Sequence, residues 1–525
     1  MERSLDWDGA AVVAVDQVAL PAQHRTLRLT TVDEVIEAIR SLVIRGAPAI
    51  GVAGGLAVAL SARQHGGDQA AVLADAERIQ AARPTAVNLA WAVRRVLGRL
   101  PEGAAAVVDE ALALLVEDEQ VNRVLAARAA DVVRAAVRRR PLRALTHCNT
   151  GRLATVAWGT ALGAIRDLAE SGDLDSVLAT ETRPLLQGAR LTTWELAEAG
   201  IPHRLCVDSA GPAAIAADLV DCVLVGADRI TAGGDVANKI GTYALAVAAA
   251  RQGIPFVVVA PESTVDESLT DGGAIVIEQR GADEVTCFAG WPVAPAATLA
   301  YNPAFDVTPA VLVTAIVTER RTLSPACGTE LALTARALYE RGWMDGTAGN
   351  LSTRLPGTPT HALITPSDHR KGALTAADLV TVAAETGEPL APAGARPSAE
   401  VSLHAALYRR YPDCGAVVHT HLPHATAVAA LAGPGSVRFT DFEIIKGLGG
   451  PDPSAVEVVV LPNHADVALI AEEMFSQLRN DTPPVVLIDH HGASAWGPDL
   501  ETARNRMECL ESLCQLHLLT GRKPR

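Results

Sequence analysis

Short runs of Val, Leu, Ile and Ala alternate with Ala-rich stretches of helical spacing, and this alternation constrains the fold more than any other feature. AVVAVDQVAL, CVLVGADRI and PFVVVAPES read as strands buried on both faces, while residues 68–82, 104–138 and 242–252 read as helices. The pattern predicts an α/β protein. The 104–138 stretch carries no Gly or Pro and is polar on one side, which fits a packing pair of helices. No internal repeat of domain-building length is visible. Around 318–330 the text TERRTLSPACGTE interrupts the alternation with charge, Pro and Gly before a new helical stretch at 330–341, so a domain boundary is expected there.

A chain of 525 residues exceeds what one hydrophobic core usually organises, so at least two domains are expected. It contains no apolar run of membrane-spanning length and no basic-then-apolar leader, which predicts a cytoplasmic protein with no membrane partner. The net charge of −15 argues against nucleic acid, which calls for a basic face. Any phosphate on a substrate must then be held by local donors. The eight cysteines are scattered without CxxC pairs, as suits a reducing compartment.

The first half carries its chemistry in loops after strands. In LTHCNTGRLATVAWGTALGAIR a strand end leads through Cys148 into a stretch of helical periodicity, and a thiol at a helix N-terminus would be biased toward thiolate. A buried structural cysteine is the plainer reading of the same residue. VLVGADRI ends on Asp228, where open α/β sheets place ligands, although a capping carboxylate fits that position equally. IRGAPAIG and ARPTAVNL pair Arg45 and Arg83 with small residues, which suits either phosphate recognition or a helix start.

Together IRGAPAIG, RPTAVNLAW, THCNTG, ETRPLLQGARLTTWEL, VGADRITAGGDVANKIGT and YNPAFDVTP, in this order, resemble the methylthioribose-1-phosphate isomerase family, within the superfamily of translation-initiation regulatory subunits. The resemblance spans about residues 1–325. It implies an N-terminal helical part to about residue 135 and a Rossmann-like parallel-sheet part over about 136–325. The implied reaction opens a furanose 1-phosphate and moves hydrogen between C2 and C1, with Asp228 handling the ring oxygen and Cys148 the transfer, and with no cofactor. Arg45, Gly46, Ala47, Arg83, Gln187, Asn238 and Lys239 match substrate-binding positions. Arg152 departs from the small residue expected there. The superfamily also holds binding proteins that keep the fold without the thiol, so a non-catalytic regulatory module is the competing class.

The last third brings a different pattern. CGAVVHTHLPHA places His419 and His421 two apart behind an apolar run; in a strand both imidazoles face one side and can share a cation. Two unrelated surface histidines would give the same text. A third candidate lies in VVLIDHHGASAWG, where an apolar run ends on His490 and His491.

GWMDGTAGNLSTR, ITPSDHRKG, RPSAEVSLHAALY, VVHTHLPHATAV, FEIIKGL and HHGASAWG resemble methylthioribulose-1-phosphate dehydratase, in the zinc-dependent class II aldolase family, over about residues 330–520. The resemblance implies a separate α/β domain over 330–525 with one Zn²⁺ held by His419, His421 and His491, with His490 the rival for the third position. Gly349, Asn350, Ser352 and Ser398 match a phosphate-cradling loop. Glu443 matches the acid/base position, its alternative being a surface partner of Lys446. Glu400 matches a carboxylate that aldolase relatives use, its alternative being a first-turn helix residue. The competing outcome is retro-aldol cleavage to dihydroxyacetone phosphate and an aldehyde.

The two expected reactions are consecutive, which implies a bifunctional methionine-salvage enzyme acting on a phosphorylated methylthiopentose. Only the second step calls for metal, and this accounts for histidines clustered in the last third. Both families imply a homo-oligomer.

Overall fold

Nothing between Ala104 and Ala136 interrupts a helix, and the computed structural model, which describes residues 3–83, 87–269, 271–355, 358–390, 396–450 and 452–521, has one continuous helix there in place of the expected pair. At 33 residues it extends about 50 Å. Its first half packs Val107, Ala111, Leu114 and Leu115 into a core of helices, and its second half packs Leu125, Ala129 and Val133 into the core of a sheet. The chain divides into two compact units, Met1–Pro325 and Ala326–Arg525.

In the first unit, AVVAVDQVAL contributes only Val12–Val15, the middle strand of a small antiparallel sheet and not a strand of the large one. Helices Val32–Arg40, Ala47–His65, Gln69–Gln80 and Val87–Leu97 complete that region, and Pro84, Thr85 and Ala86 of the RPTAVNLAW motif lie outside the described residues. The large sheet orders its strands as Thr322–Leu323, Ala315–Val317, Phe256–Val259, Cys222–Val225, Leu142–Thr146, Leu174–Thr180 and His203–Cys206. All adjacent pairs are parallel except the outermost one, Ala315–Val317 with Thr322–Leu323. Leaving out that last strand, the order is the doubly wound one, and its reversal falls between Leu142–Thr146 and Cys222–Val225. Beyond the carboxyl ends of two such neighbours lies the crevice that parallel sheets offer a ligand. The apolar residues of these strands divide between cores on both faces, which is why the strands read as continuous apolar runs.

The second unit is built on an eight-stranded sheet ordered Val380–Ala383, Thr358–Ile364, Asn350–Leu355, Ala416–Thr420, Gly492–Gly497, Val485–Ile488, Ala455–Leu461 and Gly435–Thr440. Only Ala455–Leu461 and Val485–Ile488 run parallel. Alternate residues serve opposite layers. Ala416 and Val418 join the core under helices Pro325–Glu340, Pro423–Ala432 and Leu500–Leu519, whereas Val417 joins the core under Val401–Arg410 and Val467–Gln477. Among the described residues no helix is long and apolar enough to cross a membrane.

Candidate active sites

In the first unit the residues singled out from sequence converge. Arg45, Gly46, Ala47, Arg83, Cys148, Gln187, Asp228, Asn238 and Lys239 line one cavity of about 110 Å³, which also takes in Arg280. Cys148 follows strand Leu142–Thr146 and Asp228 follows Cys222–Val225, so the two stand at the point where the strand order reverses. The N-terminus of helix Ala47–His65 opens on the same cavity without a side-chain cap, which suits an anion. Arg45, buried, donates to Gln17 Oε1 at 3.0 Å, to the carbonyl oxygen of Asn149 at 3.1 Å and to Asn149 Oδ1. Gln187 Oε1 is buried with no hydrogen-bond partner among the described residues, as expected of a group that meets a ligand.

The helix-terminus reading of Cys148 is corrected. No helix starts after it; residues 152–154 form a single tight turn and the next helix begins at Ala161. The buried carboxylate of Glu195 holds the intervening loop by accepting from the backbone N–H of Arg152 (2.8 Å) and from Asn149 Nδ2 (2.8 Å). Cys148 itself has φ 63° and donates its backbone N–H to Thr182 Oγ1. Burial pushes its thiol above the ordinary value against the pull of Lys239 and Arg45, so it rests protonated. Burial likewise raises the Asp228 carboxyl, against Lys239, Arg83 and Arg45. Two proton carriers therefore face one cation-lined cavity. Arg152, the departure noted in the sequence, turns to Glu198 and Trp194.

In the second unit His419 lies on strand Ala416–Thr420, and His421 follows just beyond its end. With His491 they place ring centroids 4.7–5.3 Å apart at near-perpendicular angles. Glu400 joins them. One ligand atom from each of the four residues lies within 4.8 Å of all the others. His490 adopts φ 52° and points to solvent against Asp489, which leaves His491 as the third imidazole. Nε2 of His421 is buried with no hydrogen-bond partner among the described residues, while His419 Nδ1 pairs with Ser494 Oγ at 3.0 Å and so directs its Nε2 into the cluster. Burial pushes His419 down to about 3 and lowers His421, so both are neutral imidazoles at physiological pH, the form that ligates metal. Orphaned imidazole nitrogens, a carboxylate and a supporting hydroxyl make a donor set that fits a divalent cation.

Glu400 occupies the cap position of helix Val401–Arg410 but makes no cap hydrogen bond. Its carboxylate lies 2.9 Å from His491 Nε2 and 3.4 Å from His419 Nε2. Burial pushes this carboxyl up, yet His419, His491 and Asn350 together hold it well below the usual range. Glu443 lies outside the cluster: its side chain is 85% exposed and paired with Lys446 at 2.6 Å, an exposed ion pair worth a few tenths of a kcal/mol. Asn350 and Ser352, expected to cradle phosphate, spend their side chains inside the protein, Asn350 on Glu400 and His404, Ser352 on His404 and Tyr408. Ser398 Oγ accepts from the Glu400 N–H, and Gly349 (φ 71°) backs onto Met344 and the His419 carbonyl.

Residues 43–325 match the Initiation factor 2 subunit family and residues 329–518 the Class II Aldolase and Adducin N-terminal domain. A probable bifunctional methylthioribose-1-phosphate isomerase/methylthioribulose-1-phosphate dehydratase of Nocardia farcinica is 57% identical, across 99% of this chain and 96% of its own. A methylthioribose-1-phosphate isomerase of Anaeromyxobacter sp. (strain K) is 54% identical across 62% of this chain and 94% of its own. Among solved structures, 5-methylthioribose 1-phosphate isomerase from Pyrococcus horikoshii OT3 is 39% identical with a TM-score of 0.57, covering 62% of this chain and 93% of that one.

Proposed function

Since the chain belongs to the family of bifunctional methylthioribose-1-phosphate isomerase/methylthioribulose-1-phosphate dehydratases, we propose that its first unit converts 5-methylthioribose 1-phosphate into 5-methylthioribulose 1-phosphate and its second removes water from that ketose to give 2,3-diketo-5-methylthiopentyl 1-phosphate. The observation that carries this reading is the presence in one chain of a cation-lined cavity holding Cys148 and Asp228 and of a three-histidine cluster joined by Glu400.

In the first unit the substrate phosphate meets the open N-terminus of helix Ala47–His65 and the guanidinium groups of Arg45 and Arg83. The phosphate on the anomeric carbon blocks spontaneous ring opening, so an acid is needed. Asp228, its carboxyl raised by burial, gives the proton to the ring oxygen, and Cys148 serves the hydrogen exchanged between C2 and C1. Gln187, Asn238 and Lys239 bind the sugar hydroxyls and fix the reacting carbons between these two groups.

In the second unit His419, His421 and His491, with Glu400 beside them, would hold a divalent cation, which we assign as Zn²⁺. When bound, that cation stabilises the charge left as a proton departs beside the carbonyl. Glu400, kept ionised, is placed to accept that proton. The assignment of Glu443 to the transfer that releases water rests on the resemblance alone. Glu400→Gln and Glu443→Gln, assayed separately for dehydration, divide the two roles.

The convergence of Glu400 with the histidines is the one observation that favours carbon–carbon cleavage, since aldolase relatives use a carboxylate there. Product analysis decides between them. Incubation with 5-methylthioribose 1-phosphate should yield the diketo phosphate and no dihydroxyacetone phosphate, and accumulation of the latter would overturn the dehydratase reading.

A further inference from the structure

Glu400, His404 and Tyr408 recur every fourth residue, so helix Val401–Arg410 and its cap present all three on one face. Asn350 and Ser352, alternate residues of strand Asn350–Leu355, meet that face. Side-chain hydrogen bonds join the five without a gap: Tyr408 Oη to Ser352 Oγ at 2.7 Å, Ser352 Oγ to His404 Nδ1 at 2.6 Å, His404 Nε2 to Asn350 Oδ1 at 2.5 Å, and Asn350 Nδ2 to Glu400 Oε2 at 2.6 Å. Asn350, Ser352, His404 and Tyr408 are each 1% exposed, so water does not compete along the chain.

The polarity of these bonds is fixed from one end. Asn350 gives its NH₂ to Glu400 Oε2 and turns its carbonyl toward His404 Nε2. That carbonyl only accepts, and His404 therefore carries its proton on Nε2. Nδ1 is left to accept from the Ser352 hydroxyl, whose oxygen accepts in turn from Tyr408. No member can reverse alone. Reversing any one of them would set donor against donor or acceptor against acceptor inside the protein, where an unmatched group is costly.

We propose that His404 is a positioning residue for the second active site: through Asn350 it holds the Glu400 carboxylate at fixed orientation against the histidine cluster. Glu400 sits at the cap, before the helix begins, and its carboxylate also lies against His419 and His491. The proposal rests on reading Glu400, His419, His421 and His491 as a metal centre, and its test separates the two.

The full-length chain, stripped of metal, is titrated with Co²⁺ while the visible absorption of the bound ion is followed. His404→Leu keeps the volume and breaks the relay in the middle; it should weaken Co²⁺ binding by about 10–100-fold and shift the absorption bands. Tyr408→Phe, which removes only the far link, should change both less. Asn350→Asp nearly preserves shape but sets a second carboxylate against Glu400, so it must change both the affinity and the absorption bands, and it keeps the test open should the leucine variant fold poorly. Co²⁺ affinity and spectrum unchanged in His404→Leu or in Asn350→Asp would overturn the positioning role. Unchanged binding in His491→Ala would overturn the metal centre itself.

Discussion

A carboxyl raised by burial, that of Asp228, is the group on which the proposed isomerase chemistry turns. The raised Asp228 must be protonated to donate, so activity is full below its raised pKa and falls as pH climbs through it. Asp228→Asn should lower isomerase turnover by about 10²–10⁴-fold and erase that alkaline limb, and Cys148→Ser should lower turnover comparably, both leaving dehydration of supplied ketose intact. Turnover measured against pH for the three proteins checks this, and unchanged isomerisation in either variant would revive the non-catalytic reading of the first unit. Of the residues that line this cavity, Arg45 before Gly46 and Asp228 after an apolar run stand out from their neighbours, whereas Gln187, Asn238 and Lys239 came only with the family resemblance. Arg280 was legible in neither way. It sits in EQRGADE, a charged text indistinguishable from a solvated surface, and only folding brings it to the cavity. Of the two readings of Cys148 the buried one holds and the helix-terminus one does not, since the carboxylate that holds its loop belongs to Glu195, more than forty residues downstream. In the second unit the resemblance gave Glu400 as a site carboxylate and its position alone gave a helix-start residue; its side chain turns to the histidines and bonds to Asn350, fifty residues earlier in the chain.

At the scale of elements, apolar runs between helical stretches are enough to fix an α/β class, because strands covered on both faces admit little else. Periodicity could not say that residues 104–136 form one helix shared by two cores, since a break and a continuation differ only in what packs around them. Likewise it could not place AVVAVDQVAL outside the main sheet. The helix that begins after Gly46 is held against the Cys148 loop by the absence of a side chain: Gly46 has φ 92°, and a Cβ there would meet the Ala154 carbonyl at 2.4 Å. Gly46→Ala should therefore cost about 1–3 kcal/mol of stability and displace the helix terminus from the phosphate position. Thermal unfolding together with the isomerase KM checks it; a raised KM with a lowered midpoint is expected, and parental values for both would contradict the close approach.

Taken as a whole, the molecule joins two folds that need nothing chemically in common. One gathers a thiol and a carboxyl raised by burial; the other gathers neutral imidazoles with a carboxylate beside them. What links them is the ketose phosphate that the first makes and the second consumes. The joint was visible in sequence as a change of text near residue 320, because charge, Pro and Gly there break the alternation that precedes them. The most direct test of the account is a single time course of the full-length chain on 5-methylthioribose 1-phosphate before and after exhaustive chelation. The account predicts that chelation stops the reaction at 5-methylthioribulose 1-phosphate, which accumulates at an undiminished rate, and that Zn²⁺ restores water loss. Continued formation of the diketo phosphate from metal-free protein, or failure of the ketose to form, would contradict it.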